Sequence, residues 1–303
     1  MKTKLVISLM VLVVFSGLVI SCQALMKAAD VGAQVAGATG VIDKNTANAI
    51  SKSSKAVGSA AEEITPEQEY YIGRAVAANI LSSYRLWSGN AALTAYLNRI
   101  CAAITINSPR PDVYNGYHVA ILDSAEINAF ATSGGHIFVT RGLINAAKSE
   151  DALAGVIAHE VAHIQLQHSI KAIKNSRVTQ ALLVTGTSAA GAATGMNVNQ
   201  LTDIFNESVG EVVTTLINNG YSRDQEYQAD NTAMSLMAAA GYSPSGLIDM
   251  LKQLSSVQTS SSGFGKTHPT PAQRITNAEK SVKSYKVANT SSSRQSRFTT
   301  ATR

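Results

Sequence analysis

The spacing of apolar positions changes several times along the chain, and each change marks a predicted element. Leu5 to Ile20 is an apolar run of sixteen residues, short for a membrane span but suited to the core of a signal peptide. Residues 23–63 are rich in Ala, Ser, Gly, Val and Lys and contain no aromatic side chain, which predicts a tether, helical in part. Thr65-Pro66 with Gln68 predicts a helix start. Leu93, Tyr96, Leu97, Ile100 and Ile104 then recur at helical spacing and place Cys101 in a core. Residues 117–123 and 136–140 have strand composition, 127–132 lie between them, and Gly134-Gly135 signals a turn. A small sheet is therefore expected just before the next helix. Ser149 can cap that helix, and Glu150 and Asp151 fall in its first turn, where the helix dipole favours acids. Its apolar stripe is Leu153, Val156, Ile157 and Val161, with Ala154, Ala158 and Ala162 allowing close packing. The predicted fold is α+β and mostly α-helical.

Composition adds little until the histidines are placed. The chain has six, and two of them bracket His159-Glu160-Val-Ala-His163 on the helix just described. Residues four apart share one helical face, so two imidazoles at this spacing can grip one metal ion, with Glu160 placed to take a proton from water. His168 is five residues past His163, about 140° further around a continuing helix. It is expected to be solvated or capping. A third ligand is expected downstream, in Ser222-Arg-Asp-Gln-Glu226-Tyr-Gln-Ala-Asp230. Ser222 and Gln225 form a capping-box pattern, and Glu226 and Asp230 then share a face. A Glu226 ligand would complete a His2Glu zinc site, and Asp230 could accept the second ring N–H of a ligand histidine.

Here the chain resembles the HtpX and CAAX-prenyl-protease family of zinc metallopeptidases, in particular its soluble, periplasm-facing members. The zinc motif is joined by Tyr71-Ile-Gly-Arg-Ala-Val-Ala-Ala78, by Ile127 to Ile144, by Glu226-Tyr-Gln-Ala-Asp230, and by Thr267-His268-Pro269 with Arg274-Ile275. The resemblance implies a gluzincin-like domain whose small sheet sets an edge strand beside the active-site helix. It implies one zinc ion per chain on His159, His163 and Glu226, Glu160 as general base, and Asp230 as the partner of a ligand histidine. His268 would lie near the metal, either stabilising the oxyanion or blocking the open site, with Arg274 beside it. Asn128 and Ala129 would belong to the edge strand that pairs with substrate through main-chain hydrogen bonds. The implied activity is endoproteolysis of misfolded or unassembled envelope polypeptides. The competing reading is a non-catalytic, chaperone-like peptide binder, which would have no need of Glu160.

The N-terminus suggests the compartment. Residues 1–21 read as a signal peptide ending Val19-Ile20-Ser21 before Cys22, which resembles a bacterial lipoprotein box with Cys22 lipidated. With Gln23 in place of an aspartate, this points to an outer-membrane lipoprotein facing the periplasm. Lipidation of Cys22 would leave Cys101 alone, so no intramolecular disulfide is expected. The expected layout is signal peptide 1–21, lipidated tether 22–63, peptidase domain 64–280, and a disordered basic tail 281–303. The formal charge is +5, but six basic residues and no acid lie in 280–303, and removing these six leaves −1 for the rest. The basic balance is thus a property of the tail and gives no folded basic face for nucleic acid. Residues 178–220 are rich in small side chains and are expected to form helices with a mobile segment over the site.

Overall fold

A computed structural model describes residues 22–48, 50–51, 54, 64–106, 108–174, 210, 213–214, 220–257, 268, 270–286 and 291–303. The chain forms two compact units, residues 1–63 with 176–201, and residues 64–175 with 202–303. In the first unit, helix α1 spans Cys22–Ala38. A second helical stretch at 44–48 is started by Asp43, whose carboxylate accepts the Thr46 amide at 2.9 Å. Among the described residues no helix is long and apolar enough to cross a membrane. The signal-peptide segment, and nearly all of the gating segment expected at 178–220, lie outside the described residues.

The second unit begins with α2 (Pro66–Ser83), whose capping box uses Thr65 and Gln68 as the sequence predicts. Helix α3 (Ala91–Thr105) buries Leu93, Tyr96, Leu97, Ile100, Cys101 and Ile104. Burial raises the Cys101 thiol to about 12. Three short strands follow: β1 (His118–Leu122), β2 (Ala129–Thr132) and β3 (His136–Thr140). Their order is β1-β3-β2, with β1 parallel and β2 antiparallel to β3. Gly134 and Gly135 make the turn between β2 and β3 at φ of 76° and 102°, which side chains other than glycine rarely adopt. Helix α4 (Arg141–Ala146) leads into α5 (Glu150–Gln165), capped by Ser149. The remaining elements are α6 (Arg223–Ala239), α7 (Ser245–Val257), α8 (Pro271–Ser281) and α9 (Ser291–Thr302).

Helix α5 is the centre of this unit. It packs against α3, α6, α7, α9 and β2, and every residue from Ala152 to Ile164 is buried. Its small residues decide how close the neighbours come. A methyl group on Gly155 would sit 2.8 Å from the Leu247 Cα, and one on Gly246 would sit 2.4 Å from the Asp151 carbonyl oxygen. The crossing of α5 and α7 is therefore a backbone-to-backbone contact that larger residues would push apart.

The C-terminal tail departs from the sequence expectation. The basic, polar composition of residues 281–303 predicts disorder, yet 291–302 fold as α9. Arg294 Nε lies 2.9 Å from Asp151, Arg297 Nε donates to Glu150 at 3.0 Å, and Phe298 is buried. The two acids that begin α5 supply the partners, so two of the six basic charges are paired with the fold, Arg294 buried and Arg297 at its surface. Counting charge within the tail alone could not reveal partners more than 140 residues away.

Candidate metal centre and active site

Three elements deliver the polar side chains. Helix α5 carries His159, Glu160 and His163, α6 carries Glu226 and Asp230, and the end of the chain brings His268 and, on α8, Arg274. Helix α6 starts where expected, since Ser222 and Gln225 exchange both capping-box hydrogen bonds. All seven side chains are buried. Buried polar groups in such number must satisfy one another.

One ligand atom from each of His159, His163, Glu226 and His268 lies within 4.8 Å of the others. His159 Nε2 is 3.1 Å from His163 Nε2 and 3.4 Å from Glu226 Oε2. His163 Nε2 is 3.5 Å from Glu226 Oε1, and His268 Nδ1 is 2.8 Å from the same oxygen. Imidazole nitrogens and a carboxylate converging on one point are a donor set for zinc. The charges fit a cation too. Glu226 and Asp230 both lie against the buried Arg274 guanidinium, and with the histidines neutral, as ligation requires, their two charges exceed its one, which suits a bound cation.

The partners behind the two α5 histidines differ. His159 Nδ1 lies 3.0 Å from Asp230 Oδ1. Arg274 holds Asp230 with two hydrogen bonds of 2.9 and 2.6 Å and reaches Glu226 at 3.3 Å. The partner expected for Asp230 is thus His159, and Arg274 lies beside this pair. Burial and the Arg274 charge act to lower His159, but its bonds to Asp230 and Glu226 outweigh them and raise it to about 9. Burial alone would raise Asp230, yet Arg274 takes it down to about 2. Burial opposes, and the His268 and Arg274 charges prevail, in holding Glu226 well below the usual carboxylate range.

His163 has neutral company. Its Nδ1 is 2.9 Å from His168 Nδ1, and Tyr221 stacks on its ring at 4.2 Å and 19°. Burial dominates and takes His163 down to about 3 and His168 to about 4. The expectation of a solvated His168 is corrected here, since that residue is 1% exposed. The 140° estimate assumed a continuing helix. Instead α5 ends at Gln165, and Gln167 takes a φ of 54° before residues 168–174 turn helical again. No Gly or Pro marks this break, so the sequence held no signal for it. Tyr221, stacked on His163, and the buried Glu69 stand outside every motif the sequence offers.

Glu160 is buried, and its Oε1 has no hydrogen-bond partner among the described residues. Burial raises its pKa, as suits a group that must gain a proton in the course of a reaction. Ala129 is in β2 opposite Val139, with Asn128 immediately before it. The Asn128 amide donates to Thr140 Oγ1 and its carbonyl accepts the Thr140 amide, both at 3.0 Å. The Ala129 amide donates to the Asn128 side-chain oxygen at 2.9 Å. Both residues therefore use these groups internally, and a peptide seeking the Ala129 amide must displace a side chain. Cys22 begins α1, but its side chain lies outside the described residues.

Comparison with known proteins agrees with this chemistry. The family model for peptidase family M48 matches residues 90–282. The metalloprotease LoiP of Escherichia coli (strain K12) is 30% identical over 150 residues, covering 49% of this chain and 56% of the relative. The mitochondrial metalloendopeptidase OMA1 of Schizosaccharomyces pombe is 28% identical over 193 residues, covering 61% and 52%. The beta-barrel assembly-enhancing protease of Escherichia coli (strain K12) is 24% identical over 193 residues, covering 61% and 38%. The chain thus spans about half the length, or less, of these curated relatives.

Proposed function

The chain belongs to peptidase family M48, and we propose that it is a zinc-dependent endopeptidase of the bacterial cell envelope. The observation that carries this reading is the convergence of His159, His163 and Glu226 beside a buried Glu160. In this proposal these three residues hold one zinc ion per chain in a gluzincin-like arrangement. A zinc ion held by them would polarise the scissile carbonyl and lower the pKa of water enough for it to be deprotonated near neutral pH.

The protein's own groups do the rest. Glu160 accepts the proton of the attacking water on its free carboxylate oxygen and later returns it to the departing amine. Asp230 keeps His159 in the tautomer that presents Nε2 to the donor cluster, and Arg274 keeps Asp230 ionised. His268 is a fourth donor in the cluster, and its 2.8 Å contact with Glu226 supports a blocking role at rest. On this reading His268→Ala speeds peptide cleavage; slower cleavage would assign it to the oxyanion instead. Asn128 and Ala129 meet the substrate backbone after the Asn128 side chain swings away.

The substrates proposed are misfolded or unassembled envelope polypeptides. Edge-strand pairing tolerates many sequences, and the similarity to a beta-barrel assembly-enhancing protease supports the setting. The leader-like run before Cys22 supports a lipoprotein, anchored in the outer membrane and facing the periplasm. The remaining layout is proposed as a tether to residue 63 and a peptidase domain over 64–280. Cleavage of casein by the full chain, with and without chelator, tests the activity. Casein left intact by a zinc-loaded protein would favour a binding module.

A further inference from the structure

From the hydrogen-bonding geometry around His163 we infer that His168 is a positioning residue for the metal site, fixing the tautomer and the direction of the His163 ring. This inference rests on the proposal that His163 is a metal ligand. His163 Nε2 faces the donor cluster, 3.1 Å from His159 Nε2, while its Nδ1 faces His168 Nδ1 at 2.9 Å. Two Nδ1 atoms at that distance share one proton. With the proton on His163, its Nε2 offers a lone pair to the cluster. With the proton on His168, a neutral His163 carries its remaining proton on Nε2 and offers a metal nothing. Metal binding therefore requires His168 as the acceptor.

The chain invests in holding His168 there. Gln167 is the only non-glycine residue with positive φ among the described residues, at 54°. Such a conformation persists where its surroundings impose it. The Gln167 side chain donates to Glu69 at 3.2 Å, and Glu69 is paired with Arg110 at 2.9 Å. Arg110 also donates to the Ile164 carbonyl in the last turn of α5, at 3.2 Å. This network, centred on the buried Glu69, ties the end of α5 to the turn that swings His168 back. Tyr221 closes the face of the His163 ring, leaving the in-plane bond to His168 to set its rotation. Ligand histidines are usually oriented by a carboxylate, a backbone carbonyl or water; here an imidazole takes that part.

The test uses the full chain as wild type, His168→Leu and His168→Asn. Asparagine retains an acceptor near the position of Nδ1, whereas leucine fills the space without one. Zinc affinity is measured by competition with a chromogenic chelator, and ligand geometry by the visible absorption of the cobalt-substituted protein. His168→Leu should bind zinc about 10- to 100-fold more weakly and shift the cobalt bands, with His168→Asn recovering most of the loss. If leucine binds zinc as well as wild type, or better than asparagine, His168 is a packing residue and the inference is wrong. Should the leucine variant fail to fold, His168→Ala replaces it in the same comparison. A wild-type protein that takes up no zinc would overturn the ligand assignment itself, a different result from a silent His168.

Discussion

His159 and His163 stand one helical turn apart on the same helix, yet the protein treats them in opposite ways. The His159 arm is ionic: Asp230 and Arg274 from two distant elements meet behind the ring, and against burial and the Arg274 charge the bonds to Asp230 and Glu226 raise it to about 9. The His163 arm is neutral, with His168 and Tyr221 around a ring that burial pulls down to about 3. A carboxylate partner makes an imidazole a stronger donor, whereas a neutral partner fixes direction with little added charge. The difference shows that two histidines on one helix face can be oriented by unrelated means. It also separates two kinds of vulnerability, since one arm fails through charge and the other through geometry.

The largest effect expected is on the ionic arm. Arg274→Met removes the cation that faces two buried carboxylates and should cost about 3–5 kcal/mol, because breaking a buried pair strands the remaining charge. Denaturant unfolding would measure this, and a loss under about 1 kcal/mol would mean that the arm is not ionic in solution.

The next effect distinguishes the arms by pH, in protein stripped of metal by chelator. The folded pKa of His159 is raised, so its contribution is complete below about pH 6.5 and is lost as pH rises towards about 9. His163 is depressed, so its contribution is complete above about pH 6.5 and is lost as pH falls towards about 3. Asp230, depressed to about 2, adds a loss on the acid side below its usual value of 3.8. Unfolding free energy should thus peak near pH 6.5 and fall on either side, by at most about 1.4 kcal/mol per pH unit for each proton. His159→Gln should remove the alkaline limb and leave the acid limb; loss of both limbs together would mean that the two rings titrate as one.

The smallest effect belongs to the neutral arm's support. Gln167→Ala keeps the positive φ but loses the bond to Glu69, and should cost about 1 kcal/mol. Gln167→Gly loses the same bond but relieves the backbone, and should return close to wild type. Thermal unfolding of both variants checks the order, and an alanine variant more stable than the glycine variant would place the turn elsewhere.

The same contrast explains what was legible in the sequence. The carboxylates of the ionic arm could be read because Glu226 and Asp230 sit at helical spacing after the capping pair Ser222 and Gln225, whereas Arg274 was implied only by the family resemblance. The small sheet and α5 were legible from Gly134-Gly135 and Ser149 for the same reason. The neutral arm could not be read, because it depends on a helix break at Leu166-Gln167 that no Gly or Pro announces. Its stabilising partners, Glu69 and Arg110, come from far earlier in the chain. The folding of the tail was hidden likewise, since Arg294 and Arg297 are structural only because Asp151 and Glu150 lie opposite them. Local pattern reveals elements and their caps; pairings across the fold emerge only once the helices are packed.

The most direct test of the central claim is to measure bound zinc and casein cleavage for full-length wild type and Glu160→Gln side by side. The account predicts zinc near one per chain in both proteins, with chelator-sensitive cleavage in wild type and none above background in the variant. Cleavage by Glu160→Gln at the wild-type rate, or the absence of zinc from both, would contradict it.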